Sequence, residues 1–432
     1  MSSIYQLDGR VPLHHAATYG LQHVLAMFVT NITPVVIIGG AAGLEPDVRA
    51  LLIRNCMLVA GLATLIQLYP VWRIGSRLPI VMGMSCTFIS LAISIAQSQG
   101  MGVLMGAVIV GGIIEGVLGL FSSLWQRFIP PVVAGCVVTG IGISLLGIGA
   151  NTFAGGVEAS DFGAMPHWIV GTVTLLVCVA VQVCPFRRLR SLSVLVGLLV
   201  GYVLALCMGM VNLSALSETE ILSVPRFMPF VPEFRLDAIL AIVCIYLVSA
   251  TETIGDTSAL CSGALGRSAT AREMGGSVAA DGLASTVAGL FGCTPITSYS
   301  QNVGLSTLTK VVNRFSIAIG ALFIIACAFF PIAGVLLSSI PQAVLGGCCV
   351  MMFGGIVFAG IEMLSRCGFG LRNMVIVSVS ISAGIGFSSN PAIFAHFPSI
   401  VQIIFAGNSV AIVFVVAVLL NLLIPKKSQQ EE

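Results

Sequence analysis

Three carboxylates and a pair of side-chain amides stand where an apolar sequence has little reason to carry them. Glu252 and Asp256 lie four residues apart in SATETIGDTSA, so one helix face carries both. Asp281 follows in VAADGLAST, and the amide pair Gln301-Asn302 lies in TPITSYSQNVGLSTLTK. A carboxylate withdrawn from water can keep or release a proton near neutral pH, and a ligand bonded to its ionised form couples binding to protonation. The Gln301 amide offers both a donor and acceptors, a match for a lactam edge with N–H beside C=O. Glu252 and Gln301 together suit a flat, neutral heterocycle with alternating donors and acceptors. An inorganic anion calls instead for a helix N-terminus with Arg or Lys, and no Arg or Lys falls mid-span. Each carboxylate also has a plainer reading, as a polar tie between helices. That reading suits Glu115 best, set among Gly111, Gly112 and Gly116 with no other polar company. His23, alone in GLQHVLAMF, reads first as a packing residue and second as support for a site.

The surrounding composition says what positions these groups. Of 432 residues 57% are apolar and 8% charged, against about 25% charged in soluble domains, and mean hydropathy is +1.07. The fold class is an all-α polytopic membrane protein. A net charge of +2 implies no nucleic-acid partner. Met1–His15 is polar and holds Asp8 and Arg10, so no cleavable signal is expected. The 13 cysteines are scattered without a C-x-x-C pair and read as packing residues, neither a disulfide frame nor a metal site.

Membrane helices need roughly 17 to 25 apolar residues, and fourteen candidate spans meet or approach that. The first seven are Ala17–Gly40, Leu51–Tyr69, Leu78–Ala96, Gly102–Leu124, Ile129–Ala150, Trp168–Val183 and Val194–Met210. The second seven are Ala238–Ile254, Gly275–Gly292, Thr294–Leu308, Phe315–Leu337, Ala343–Ile361, Met374–Phe387 and Ile400–Ile424. The third, ninth, tenth and thirteenth read as short or broken. With fourteen spans, 15 of the 19 basic residues, Arg127, Lys426 and Lys427 among them, fall on the side that holds both termini. Only Arg49, Arg54, Arg226 and Arg235 fall on the other. Basic residues stay cytoplasmic, so both termini are expected there, in the cell membrane.

The chain also repeats itself. Leu78-Pro79-Ile80 leads to Ser85, and Thr294-Pro295-Ile296 leads to Gln301 at the same six-residue step, with the prolines 216 residues apart. Ile129-Pro130, Val133 and Gly135 recur as Ile340-Pro341, Val344 and Gly346. Seven spans per half is odd, so the second half (about 236–426) enters the membrane inverted relative to the first (about 15–212). Inverted repeats with interrupted helices place the substrate at the midplane, where the two breaks meet. The breaks are spans three and ten. Thr294–Lys310 fits this, being too polar for lipid and too apolar in its flanks for a surface loop. The expectation is a single transport domain over residues 1–432.

The run from Gln301 to Lys310, QNVGLSTLTK, resembles the signature of the nucleobase–ascorbate transporter (nucleobase:cation symporter-2) family at every fixed position: Gln301, Asn302, Gly304, Thr309 and Lys310. ATETIGD, AADG and the QH of span one are similar to that family's pattern in order and spacing. The resemblance implies a core of spans one to four and eight to eleven and a gate of spans five to seven and twelve to fourteen. It implies short antiparallel strands within spans three and ten, and proton symport by an elevator movement, often in a homodimer. No cofactor is implied beyond the proton gradient. By the same carry-over Glu252 bonds the base, while Gln301 and the backbone near Ser300 hold its other edge. Asp256 and Asp281 support coupling, Asn302 orders the broken helix, and His23 supports the site. Gln at the first motif position is similar to purine (xanthine or urate) members, whereas uracil members usually have Glu. Ser85 stands where strict xanthine members often have Asn, and looks more like urate-accepting relatives. Cys86 stands where many members carry a stacking aromatic, a part left to Tyr299 or Phe88.

Other classes fit less well. Anion transporters of the sulfate-permease type resemble a seven-plus-seven architecture but commonly carry a cytoplasmic C-terminal domain. An intramembrane aspartyl protease needs Gly-x-Gly-Asp, and Asp256 follows Thr253-Ile254-Gly255. Ser/His catalysis lacks a G-x-S-x-G context. A channel has less use for a carboxylate–amide site, which suits binding and release.

Overall fold

Apolar runs with helix-compatible small residues become helices, and two short polar-edged runs become strands. The computed structural model describes residues 3–122, 130–157, 159–190, 192–211, 222–405 and 408–425. Helices α1 (Leu13–Ala41) and α2 (Pro46–Leu68) precede strand β1 (Met82–Met84), a 3-10 turn (Cys86–Phe88), α3 (Ile89–Gln99) and α4 (Met101–Leu120). Then come α5 (Pro131–Phe153), α6 (Met165–Val183), α7 (Arg187–Arg190) and α8 (Ser193–Cys207). Next are α9 (Leu236–Ala264), α10 (Ala271–Leu290), strand β2 (Ile296–Ser298), α11 (Ser300–Thr309), α12 (Arg314–Ala328) and α13 (Pro331–Ser338). The last are α14 (Gln342–Arg366), α15 (Leu371–Ser388), α16 (Ser399–Phe405) and α17 (Ser409–Leu423). Among the described residues eight helices are long and apolar enough to cross a membrane: α1, α2, α4, α5, α6, α9, α14 and α15. Shorter apolar helices are α8, α12 and α17. This is a multi-span membrane protein.

Several expected boundaries change. Spans nine and thirteen, read as short or broken, are the continuous helices α10 and α15, of 20 and 18 residues. A capping box starts α10: Thr270 Oγ1 accepts from the Glu273 N–H at 3.2 Å, and Glu273 Oε2 accepts from the Thr270 N–H at 2.8 Å. Span eleven is divided into α12 and α13, because Pro331 has no N–H to continue a helix and starts a new one instead. The last span is shared by α16 and α17, the latter capped by Asn408 Oδ1 on the Ala411 N–H at 3.1 Å. Leu124, Arg127, Ile129, Asn212, Lys426 and Lys427 lie outside the described residues.

The chain forms two compact units, one of residues 1–122 and 149–352, the other of residues 123–148 and 353–432. In the first, α4 and α10 approach backbone to backbone. A Cβ added at Gly282 would lie 2.1 Å from Gly116 N, so only glycine allows the contact. In the second, α15 packs on α17, and Arg372 Nη2 donates to Asn421 O at 2.7 Å and to its Oδ1 at 2.9 Å.

The strands form an antiparallel pair in the register Met82 to Ser298, Gly83 to Thr297 and Met84 to Ile296. Two strands leave open edges, which apolar surroundings do not forgive. Side chains close them. Thr64 Oγ1 accepts from Met82 N at 3.0 Å and Asn31 Oδ1 from Met84 N at 3.0 Å. Ser285 Oγ accepts from Ile296 N at 2.9 Å and donates to Ile296 O at 3.2 Å. Each strand then runs into the start of a helix, α3 through the 3-10 turn and α11 directly.

Candidate functional site

The two broken segments meet beside α9. Asp256 on α9 is buried and accepts from both ends of the β2–α11 junction. Ser298 Oγ donates to its Oδ2 at 2.7 Å and Ser300 Oγ to its Oδ1 at 2.7 Å. One turn earlier, Glu252 is half-buried and its Oε2 accepts from Thr87 Oγ1, in the 3-10 turn after β1, at 3.1 Å. The α9 face foreseen from the four-residue spacing therefore touches both breaks. Asp281 on α10 is fully buried; Thr253 Oγ1 donates to its Oδ2 and lies 3.2 Å from Thr297 Oγ1. Asp256 and Asp281 thus hold β2 and its junction through hydroxyls, and Glu252 holds the turn after β1.

The amide pair separates by direction. Asn302 is buried, and its Nδ2 donates to His23 O on α1 at 2.9 Å, with His23 Nδ1 at 3.3 Å as a second acceptor. That contact joins the start of α11 to α1. Gln301, its neighbour, is exposed, and its side chain has no hydrogen-bond partner among the described residues. Glu252 Oε1 is likewise uncommitted among them, since Thr87 uses only Oε2. The Asp256–Ser300 bond sets the residue before Gln301 one helical turn from Glu252. An acceptor carboxylate and an amide with free donor and acceptor atoms therefore stand on neighbouring helices.

The remaining predicted residues are supports in this geometry. Ser85 is buried; its Oγ accepts from Thr87 N at 3.3 Å and its N–H donates to Pro295 O at 2.8 Å, which fixes the turn holding Thr87. Cys86 is buried next to it. Tyr299 is buried, its hydroxyl donating to Met84 O at 2.9 Å. Phe88 is fully buried against Tyr246, with ring centroids 4.8 Å apart. Gly304 has open space where a Cβ would stand. Thr309 Oγ1 donates to Leu305 O at 2.8 Å and accepts from Val311 N at 3.3 Å, closing α11 before Lys310 turns left-handed at φ 60°. Asn31, Thr87, Thr253, Thr297 and Ser298 were not singled out from the sequence. Asn31 had a signal, an amide eight residues after His23 in an apolar helix; the hydroxyls had none.

A multi-span bundle whose interrupted segments meet at an acid–amide pair defines a membrane carrier. The permease family model matches residues 14–393, and the chain belongs to the xanthine/uracil permease family. It is a permease and not an enzyme. It is 31% identical over 444 residues to the xanthine permease XanQ of Escherichia coli, covering 99% of this chain and 95% of that one. Identity to the uric acid permease PucK of Bacillus subtilis is 34% over 406 residues, covering 93% and 94%. Among solved structures, the transmembrane domain of the cyanobacterial bicarbonate transporter BicA superposes with a TM-score of 0.62 at 15% identity, covering 92% of this chain and 98% of that one. The murine anion transporter Slc26a9 gives 0.62 at 11% identity, covering 93% and 68%. Those two share the fold.

Proposed function

We propose that this permease is a proton-coupled symporter that imports a purine nucleobase, xanthine or urate or both, by an elevator-type alternating-access movement. The observation that carries the reading is the uncommitted pair, Glu252 Oε1 and the Gln301 amide, set at the junction of two half-broken segments. Such a pair matches the lactam edges of a planar base. The names of the relatives, xanthine permease and uric acid permease, support the purine class, and Gln rather than Glu at position 301 agrees with it. Glu252 is the group whose protonation is read by the substrate; Asp256 and Asp281 keep the broken segments aligned with it.

The architecture in this reading is fourteen spans in a 7+7 inverted repeat with both termini cytoplasmic. Spans one to four and eight to eleven form the substrate-carrying core and the rest a gate, and two copies form a homodimer. The eight core spans fall, up to Ser122, within one compact unit, which also takes in spans six and seven, so the core–gate division rests on the family resemblance. The test is uptake of labelled xanthine and labelled urate by cells expressing the chain, with unlabelled bases as competitors and an uncoupler in a parallel arm. Saturable uptake that purines compete for and the uncoupler abolishes is expected. Uptake that persists without a proton gradient rules out symport, and competition by uracil but not by purines rules out the purine assignment.

A further inference from the structure

Met84, the last residue of β1, turns its backbone polar groups away from β2. The ladder between the strands uses residues of the other parity: Tyr299 N donates to Val81 O at 3.0 Å and Ser85 N to Pro295 O at 2.8 Å, and such bonds fall on alternate residues. An edge group left unpaired in apolar surroundings costs about as much as a lost hydrogen bond. At Met84 both groups are taken, from two directions. Asn31 Oδ1, on α1, accepts from Met84 N at 3.0 Å, and the Tyr299 hydroxyl, at the β2–α11 junction, donates to Met84 O at 2.9 Å. One residue is thus a joint between α1, β1 and the start of α11.

Both side chains are committed to that joint. Asn31 is fully buried. Facing an N–H, its amide presents oxygen, and its Nδ2 lies 3.7 Å from Cys56 Sγ on α2. Tyr299 is 4% exposed, and its ring crosses β1 where Gly83 has no side chain: a Cβ there would lie 2.5 Å from Tyr299 Cε2 and 2.7 Å from its hydroxyl. A ring so enclosed offers no free face to a planar base. Phe88, the other aromatic expected to stack, is enclosed against Tyr246. Past Met84 the chain has little slack. Ser85 Oγ accepts from Thr87 N at 3.3 Å, and Thr87 Oγ1 donates to Glu252 Oε2 at 3.1 Å. Whatever sets the backbone at Met84 therefore sets the hydroxyl that orients Glu252.

We propose that Asn31 and the Tyr299 hydroxyl are positioning residues for substrate binding: they grip the N–H and C=O of Met84, fix the turn that carries Thr87, and so aim Glu252. The Tyr299 ring is a wedge in the strand pair and not a stacking surface for the base. This rests on the reading above that places the base at Glu252 and Gln301. Because Asn31 and Tyr299 act through one residue, losing either frees the joint and losing both adds little, the behaviour of side chains that share a partner. Tyr299→Phe separates the two roles of the residue, since it keeps the ring and removes the grip on Met84 O.

The test is equilibrium binding of labelled xanthine and labelled uracil to the purified full chain, with KM and maximal uptake measured in vesicles. The variants are Asn31→Leu, Tyr299→Phe and the two combined. Each single variant should raise Kd and KM together by roughly three- to tenfold, and the double variant no further than the worse single one. Tyr299→Phe that binds as the unmodified protein does overturns the proposal, because a ring that merely stacks or packs is preserved in it. Lower maximal uptake at an unmoved KM also overturns it, being the mark of fewer folded carriers and not of a misaimed site. Losses that multiply in the double variant overturn the shared joint. Should Asn31→Leu not be recovered folded, Tyr299→Phe, one oxygen smaller, decides by the first two criteria. A protein that binds uracil and not xanthine, and loses that binding in both single variants, would overturn the purine assignment and leave the Met84 grip standing. Xanthine uptake with an unmoved KM in both would do the reverse.

Discussion

In the proposed site Glu252 divides its two oxygens between the protein and the substrate, and that division sets what each neighbour is worth. Thr87 holds Oε2, so the ring of a bound base would meet Oε1. A hydrogen bond to a charged group contributes about 1.5–3 kcal/mol, so Glu252→Gln should weaken binding by roughly ten- to a hundredfold and abolish uphill accumulation. Equilibrium binding of labelled xanthine, set beside accumulation, checks this, and accumulation at the unmodified level would remove Glu252 from the mechanism. Thr87→Val frees Oε2 without removing the charge. Its effect should be smaller, about tenfold or less, and if it equalled the loss in Glu252→Gln, Thr87 rather than Glu252 would be the contact. Gln301→Glu exchanges an amide donor for an acceptor and should change the ranking of competing bases; an unchanged ranking takes Gln301 out of the site. These acids and the amide were legible in the sequence because ionisable and amide groups within apolar spans are costly and so stand out. Thr87, Thr253 and Ser298 were not. Hydroxyls in membrane helices ordinarily bond their own backbone, as Thr33 does to Val29 O at 2.7 Å, so a serine or threonine that reaches across to a carboxylate looks no different on paper.

At the scale of elements, the short β1–β2 pair carries the placement of every residue just discussed. Its interruptions were legible from the proline offset: Met82 and Ser298, cross-strand partners, are separated by the same 216 residues as Pro79 and Pro295. The closure of the sheet edges was not, because Asn31, Thr64 and Ser285 come from three helices whose register against the strands only the fold supplies. Nor was the division of span eleven, since a proline such as Pro331 can kink a helix or end one. Gly83 is where the strand pair is least forgiving. A Cβ there would lie 2.5 Å from Tyr299 Cε2 and 2.6 Å from Asn31 Oδ1, the atom that holds Met84 N. Forcing a side chain into packed surroundings costs about 1–3 kcal/mol. Gly83→Val should therefore lower the midpoint of thermal unfolding in detergent and reduce uptake further than the loss of folded protein accounts for. A variant with unaltered midpoint and unaltered uptake would mean that the strand pair does not hold the site.

Over the whole molecule, the distribution of basic residues and the odd number of spans per half make one joint claim about which loops face which way. Arg and Lys are held back on the cytoplasmic side, and the proposed fourteen spans, seven in each half, divide the basic residues 15 to 4. A count short by one would reverse every loop beyond the missed span, so two loops in different halves test count and orientation together. Gly163 and Gly368 are suited to carry a short epitope. Both take a left-handed backbone, at φ 78° and 73°, and neither has a neighbour within 4 Å of its missing Cβ, so an insertion displaces nothing packed. In the proposed fourteen-span topology Gly163 lies in the connection after span five and Gly368 in the connection after span twelve. An epitope at Gly163 should bind antibody on intact cells, and one at Gly368 only after the membrane is opened. Both being reached from the same side would mean that the number of crossings between them is even, and the inverted pairing of halves would fail with it. Both being reached, but with sides exchanged, would keep the inverted repeat and place the termini outside.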